Sequence, residues 1–92
     1  MIIQFSRHAL EKARRRGTKI SHIRQTLKFP DELYEDVEHG VMIAVKKVDD
    51  KSVILAYRRE AKLVKVITIY YTTRLDKLIK SKTVRDVWRK IK

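Results

Sequence analysis

Cysteine is absent from this 92-residue sequence, which excludes disulfide scaffolds, thiolate metal sites and cysteine nucleophiles together. Asparagine is absent as well, and glutamine occurs only at positions 4 and 25. With charge carried by Lys, Arg and Glu beside many Ile and Val, this is the bias of proteins from hot environments, where thermolabile amides are avoided. Two glycines and one proline are too few chain breakers for a disordered tail. Long apolar runs are missing too. The longest charge-free stretch, Val66 to Thr73, has eight residues, where a membrane-spanning helix needs about twenty. Met1 to Phe5 is too short for the apolar region of a signal peptide and has no small-residue cleavage site, so the expectation is a cytoplasmic protein that does not enter a membrane. His8, His22 and His39 fall in different expected elements without the close pairing of a metal motif, and neither a metal nor another cofactor is expected.

What is present is charge. The 23 Lys and Arg face 11 Asp and Glu, a net +12, and such a field favours phosphate polyanions, anionic surfaces or an acidic protein partner. It is lopsided. Residues 1–46 hold 9 basic and 6 acidic groups, residues 47–92 hold 14 and 5. Lys12, Arg14, Arg15 and Arg16 cluster at the end of the first expected helix. Arg74, Lys77, Lys80, Lys82, Arg85, Arg89, Lys90 and Lys92 line the C-terminal segment. Asp31 to Glu38, with five acidic residues and no basic one, is the negative island between them.

A chain of this length with 43% hydrophobic residues makes one domain, residues 1–92. Residues 2–5 read as a short strand, and Ser6 as the N-cap of a helix from Arg7 to Arg16 that Gly17 ends. Ala9, Leu10 and Ala13 form its buried stripe, with His8, Lys12 and Arg15 on the polar side. Ser21 or Thr18 caps a second helix with Ile20, Ile23 and Leu27 inward, and Phe29-Pro30-Asp31 stops it. Three β-rich runs follow, Val41 to Val48, Ser52 to Arg59 and Leu63 to Thr72, forming an antiparallel meander, and Leu33 to Val37 reads as a further strand, at an edge or as a solvent-facing ladder. Leu75, Leu78 and Ile79 return to helix. Thr83 with Asp86 forms a capping box for a final amphipathic helix carrying Val84, Val87, Trp88 and Ile91. The expected fold class is α+β: an antiparallel sheet of three to five strands, with two N-terminal helices and a C-terminal helix packed on one face.

Among the chemistry-bearing residues, no two carboxylates are spaced for glycosidase-like work, whereas His8, Thr68, Tyr70 and Tyr71 stand amid basic groups. Metal-free cleavage of RNA by its own 2′-hydroxyl requires a base, a cation on the phosphate and an acid for the leaving oxygen. Thr68 and Tyr70 project from one face of their strand and Ile67, Ile69 and Tyr71 from the other. Arg58 shares a strand face with Ile54 and Ala56, Arg59 with Leu55 and Tyr57; which of the two reaches the Thr68 side is open, and Arg58 is preferred. Arg74, past the strand end, is placed to clamp a phosphate through its planar fork. Tyr70 stacks on a base or donates a proton, while Tyr34, Tyr57 and Tyr71 are assigned to sheet packing.

Ser6-Arg7-His8-Ala9, Lys12, Arg16-Gly17, Ile20, Phe29-Pro30-Asp31, Val66-Ile67-Thr68-Ile69-Tyr70 and Arg74 together resemble a family of small domains of unknown function. That family is grouped with the RelE-like toxins and, more broadly, with the barnase, EndoU, colicin and RelE ribonucleases. The resemblance implies a RelE-like α+β fold and a metal-independent endoribonuclease, acting as a toxin that a partner antitoxin neutralises. It matches His8 to the helix-one histidine, and Thr68 and Tyr70 to polar positions of the last strand. This chain departs at Lys12, where the family carries arginine, and by Thr18-Lys19, inserted before Ile20.

The resulting expectation is an RNA-binding protein with endoribonuclease chemistry carried by His8, Arg58, Tyr70 and Arg74. RNA contacts are assigned to Lys12, Arg15, Arg16, Thr68, Lys77, Lys80, Lys82, Arg85 and Arg89. Two other readings stand beside it: a non-catalytic nucleic-acid-binding module, and a basic docking module for an acidic protein, with self-pairing to a homodimer through the acidic island.

Overall fold

The computed structural model describes residues 2–84 and 87–92. The chain runs β1 (Ile2–Phe5), α1 (Arg7–Arg16), α2 (Ile20–Lys28), β2 (Glu32–Asp36), β3 (Val41–Val48), β4 (Lys51–Glu60), β5 (Leu63–Thr72), α3 (Leu75–Val84) and β6 (Trp88–Lys90). The fold is α+β, with six strands in the order β1-β5-β4-β3-β2-β6.

The sheet differs from the expected three to five antiparallel strands in two ways. The strand β1 pairs parallel to β5, from Ile2 opposite Leu63 to Phe5 opposite Val66, so the sheet is mixed. The segment assigned to a final helix instead forms β6, antiparallel to β2 with Tyr34 opposite Lys90 and Asp36 opposite Trp88. Thr83, expected to cap that helix, lies inside α3 instead, and Arg85 and Asp86 lie outside the described residues. The helical spacing of Val87, Trp88 and Ile91 yielded to tertiary pairing, because β2 would otherwise be an edge with open N–H and C=O groups. Leu33 N–H donates to Lys92 O at 3.0 Å and Val37 N–H to Val87 O at 2.9 Å.

Helices cover both faces, not one. Ala9 of α1 and Ile23 and Leu27 of α2 pack on Val53, Leu55, Tyr57, Val64, Val66 and Ile69. On the reverse face, Leu75, Leu78 and Ile79 of α3 lie with Val87 over Tyr34, Ile43, Val45, Ile54, Ala56 and Trp88. The predicted stripes hold in part, since Leu10 and Ile20 stay 41% and 53% exposed. The second helix also starts differently: Lys19 is the cap residue and makes no side-chain bond, while Ser21 falls inside the helix.

Ser6 joins α1 to the sheet. Its hydroxyl accepts from Ala9 N–H at 3.0 Å and donates to Ile67 O at 2.8 Å. Ile67 is the extra residue of a β-bulge, because Ala56 pairs with Thr68 and Tyr57 with Val66. At the other end of α1, Gly17 takes the left-handed conformation (φ +62°), which glycine adopts without strain. Ser6→Ala removes the cap and the bulge contact together, and urea unfolding is expected to show a loss of about 1–2 kcal/mol.

The β2–β3 turn is closed by Asp36, whose Oδ1 accepts from the backbone N–H of Glu38 at 3.1 Å and of His39 at 2.9 Å; the carboxylate also meets His39 Nδ1 at 3.0 Å. Burial pulls this carboxyl upward, but the His39 backbone N–H, the His39 ring and the Trp88 indole outweigh it and hold the group below its ordinary value of 3.8. A carboxyl lowered by folding stabilises the protein above its unfolded value, and that stabilisation is lost as pH falls through the lowered one. Asp36→Asn is therefore expected to be less stable than the parent at pH 6, with the gap closing below about pH 3.8, as urea titrations across that range would record.

Candidate nucleic-acid interface

The expected catalytic residues do not converge. His8 is an exposed residue of α1, the helix that lies over Val66 and Ile69. Tyr70 packs with the other cluster, beneath α3. Ile67 belongs with Tyr70 rather than with Ile69, because the bulge reverses the alternation of β5 at that point. Arg58 is exposed and follows Ile54 and Ala56 along their face. Ile54 is paired with Tyr70, so Arg58 stands four residues, about 13 Å, from the Tyr70 row, with Thr68 between them opposite Ala56. Burial raises the Tyr70 phenol above its ordinary value of 10.0.

Arg74 has a more central place. It follows the end of β5, where its N–H donates to Thr72 Oγ1 at 3.0 Å and its carbonyl accepts from Leu78 N–H at 3.2 Å. On the α1–α2 side it lines an open cleft of about 800 Å³ with Arg16, His22, Asp49, Asp50 and Tyr71. On the α3 side it lines a second hollow of about 570 Å³ with Lys47, Ser52 and Lys77. Arg74 is thus a ridge between two concavities at one end of the sheet.

Of these cleft residues, His22, Asp49 and Asp50 carried no expected role, and Tyr71 was assigned to packing alone. The meander held the signal for the aspartates. With Ser52 opposite Thr72, the two-residue turn Asp49-Asp50 must come beside the chain leaving β5. His22 reaches the cleft because Ile23 and Leu27 anchor α2 beneath it, a placement that no local pattern encodes. His22 Nδ1 is buried without a hydrogen-bond partner, as is Thr18 Oγ1 four residues earlier. Among the described residues, no group of three or more His, Asp or Glu side chains is placed to hold a metal.

Four of the five carboxylates of the acidic island are paired internally. Asp31 meets Lys46 at 3.7 Å, Glu32 meets Lys90 at 3.4 Å, Glu35 pairs with Arg89 and Asp36 with His39. Tyr34 donates to Glu32 Oε1 at 3.2 Å, and burial, the Glu32 charge and this bond push its phenol up to about 12. Arg89, expected to contact nucleic acid, is instead the cross-strand partner of Glu35. Lys82 sits over the Trp88 ring, 6.0 Å from its centroid, and Lys77 is exposed on α3 beside Lys80. From Arg7 to Lys28 eight cations, among them Lys12, Arg15 and Arg16, accompany one carboxylate, Glu11. Among the described residues, none of them forms an ion pair.

No helix among the described residues is long and apolar enough to cross a membrane. No curated protein and no solved structure matches the chain. Residues 5–71 do match one family model, running from the last residue of β1 to Tyr71, the last but one of β5, and so including α1 and α2, and the chain belongs to that family, described as a domain of unknown function (DUF4258).

Proposed function

We propose that the protein binds RNA through the basic α1–α2 layer and the adjoining end of the sheet, without cleaving it at His8. The observation that carries this reading is the separation of charge: four of the island's five carboxylates are held by Lys46, Lys90, Arg89 and His39, while eight cations against one carboxylate remain on the helical layer. Cations without intramolecular partners supply the sequence-independent part of nucleic-acid affinity. A RelE-type ribonuclease would need base, cation and acid around one phosphate. The division of His8 from Tyr70 and Arg58 between the two faces favours binding over that chemistry.

Fluorescence titration of a labelled single-stranded RNA over a range of salt concentrations tests the reading. The logarithm of affinity is expected to fall linearly with the logarithm of salt, by about 0.7 per phosphate contacted. A flat response, or equal competition by polyglutamate at matched ionic strength, would overturn it in favour of an acidic protein partner.

A further inference from the structure

The cleft at the end of β5 differs from the helical surface in being mixed in charge. Arg16 and Arg74 stand in its wall with Asp49 and Asp50, and Tyr71 packs partly on the core while also lining the cleft. A site for bare phosphate would not carry two carboxylates, since these repel the anion. A ligand that joins one anion to neutral hydroxyl donors and a flat ring suits all three residue types. Arginine forks take a phosphate bidentately, carboxylates accept from sugar hydroxyls, and an aromatic ring stacks a base whatever its identity. At about 800 Å³ the cleft lies within the usual range of small-ligand sites.

We infer that this cleft is a subsite for one ribonucleotide of a single-stranded RNA, with the phosphate between Arg16 and Arg74, the base on Tyr71 and the ribose 2′-hydroxyl on the Asp49-Asp50 turn. The inference rests on the RNA-binding reading and adds a place where the strand is gripped unit by unit, whereas the helical layer contributes charge alone. The carboxylates make the subsite selective, because a deoxyribose offers one donor fewer.

Titration with uridine 5′-monophosphate, followed by amide and histidine-ring NMR shifts, tests it. Shifts are expected at His22, Asp49 to Lys51 and Tyr71 to Arg74, with affinity at least fivefold above that of the 2′-deoxy analogue or inorganic phosphate. Arg74→Ala and Tyr71→Leu, which leave the core filled, should each weaken the nucleotide at least fivefold, and Arg58→Ala should leave it unchanged. Equal binding of the deoxy analogue, or shifts confined to α1 and α2, would overturn the subsite. An RNA oligomer that binds without moving the cleft signals also overturns the subsite and leaves the RNA-binding reading standing. A mononucleotide that binds in the cleft while the oligomer does not bind at all supports the site and overturns the RNA-binding reading.

Discussion

Trp88→Ala is expected to destabilise the protein by about 3–5 kcal/mol, the range for removing a large aromatic side chain from a core. Trp88 is 5% exposed, its ring centroid lies 5.7 Å from that of Tyr34, and it stands in the cluster that α3 covers. Its loss opens a cavity beneath α3 and removes the anchor of a three-residue strand that has little else to hold it. Domains of this size shift by about 4–8 °C per kcal/mol, so the melting temperature should fall by more than about 12 °C. Trp88→Phe should keep most of that stability. A local readout accompanies the global one: the amides of Leu33 and Val37, bonded to Lys92 and Val87 carbonyls, should exchange faster in the alanine variant. A cost under about 1 kcal/mol, with those amides unaffected, would mean that β6 does not complete the sheet.

The charge-reversed variant Lys12→Glu, Arg14→Glu, Arg15→Glu lowers the net charge from +12 to +6 without touching the cleft residues Arg16 and Arg74. Each phosphate contact on a single strand releases about 0.7 counterion, worth about 1 kcal/mol at 0.1 M salt. Three lost contacts should therefore weaken RNA about a hundredfold and reduce the salt slope by about 2. Because Arg14 and Arg15 also offset the dipole at the end of α1, the corresponding glutamine variant belongs beside it. Glutamine removes the contacts without adding repulsion, and its melting temperature reports the structural share of the effect. Affinity altered less than threefold, with an unchanged slope in both variants, would remove the helical layer from the interface.

How far the residues foretold the structure can be followed element by element. Ser6, the Arg7 to Arg16 pattern and Gly17 were read correctly because the cap, the periodicity and the left-handed stop are local and agree with one another. The meander was readable for the same reason, from β-branched runs broken by two short turns. The C-terminal segment was not. Val87, Trp88 and Ile91 fit a helical stripe, but that spacing competes with an acidic strand distant in sequence whose open edge and carboxylates fit Trp88, Arg89 and Lys90. The parallel docking of β1 was equally hidden, since four residues carry no signal for a partner 61 positions away.

The candidate site shows the same division. Its charge, its want of cysteine and its arginine and tyrosine content lie in composition and local order, which no folding step can alter. Whether those groups meet depends on which face each element presents and how far apart the pairings fall. One bulge at Ile67 and one crossing from α1–α2 to α3 put His8 and Tyr70 on opposite sides of the sheet. The same topology gathered His22, Tyr71, Arg16 and Arg74 around a turn that no motif had marked. Local sequence sets which elements form and the sign of the field around them; long-range pairing, whose contacts are absent from any short window, sets which side chains share a site.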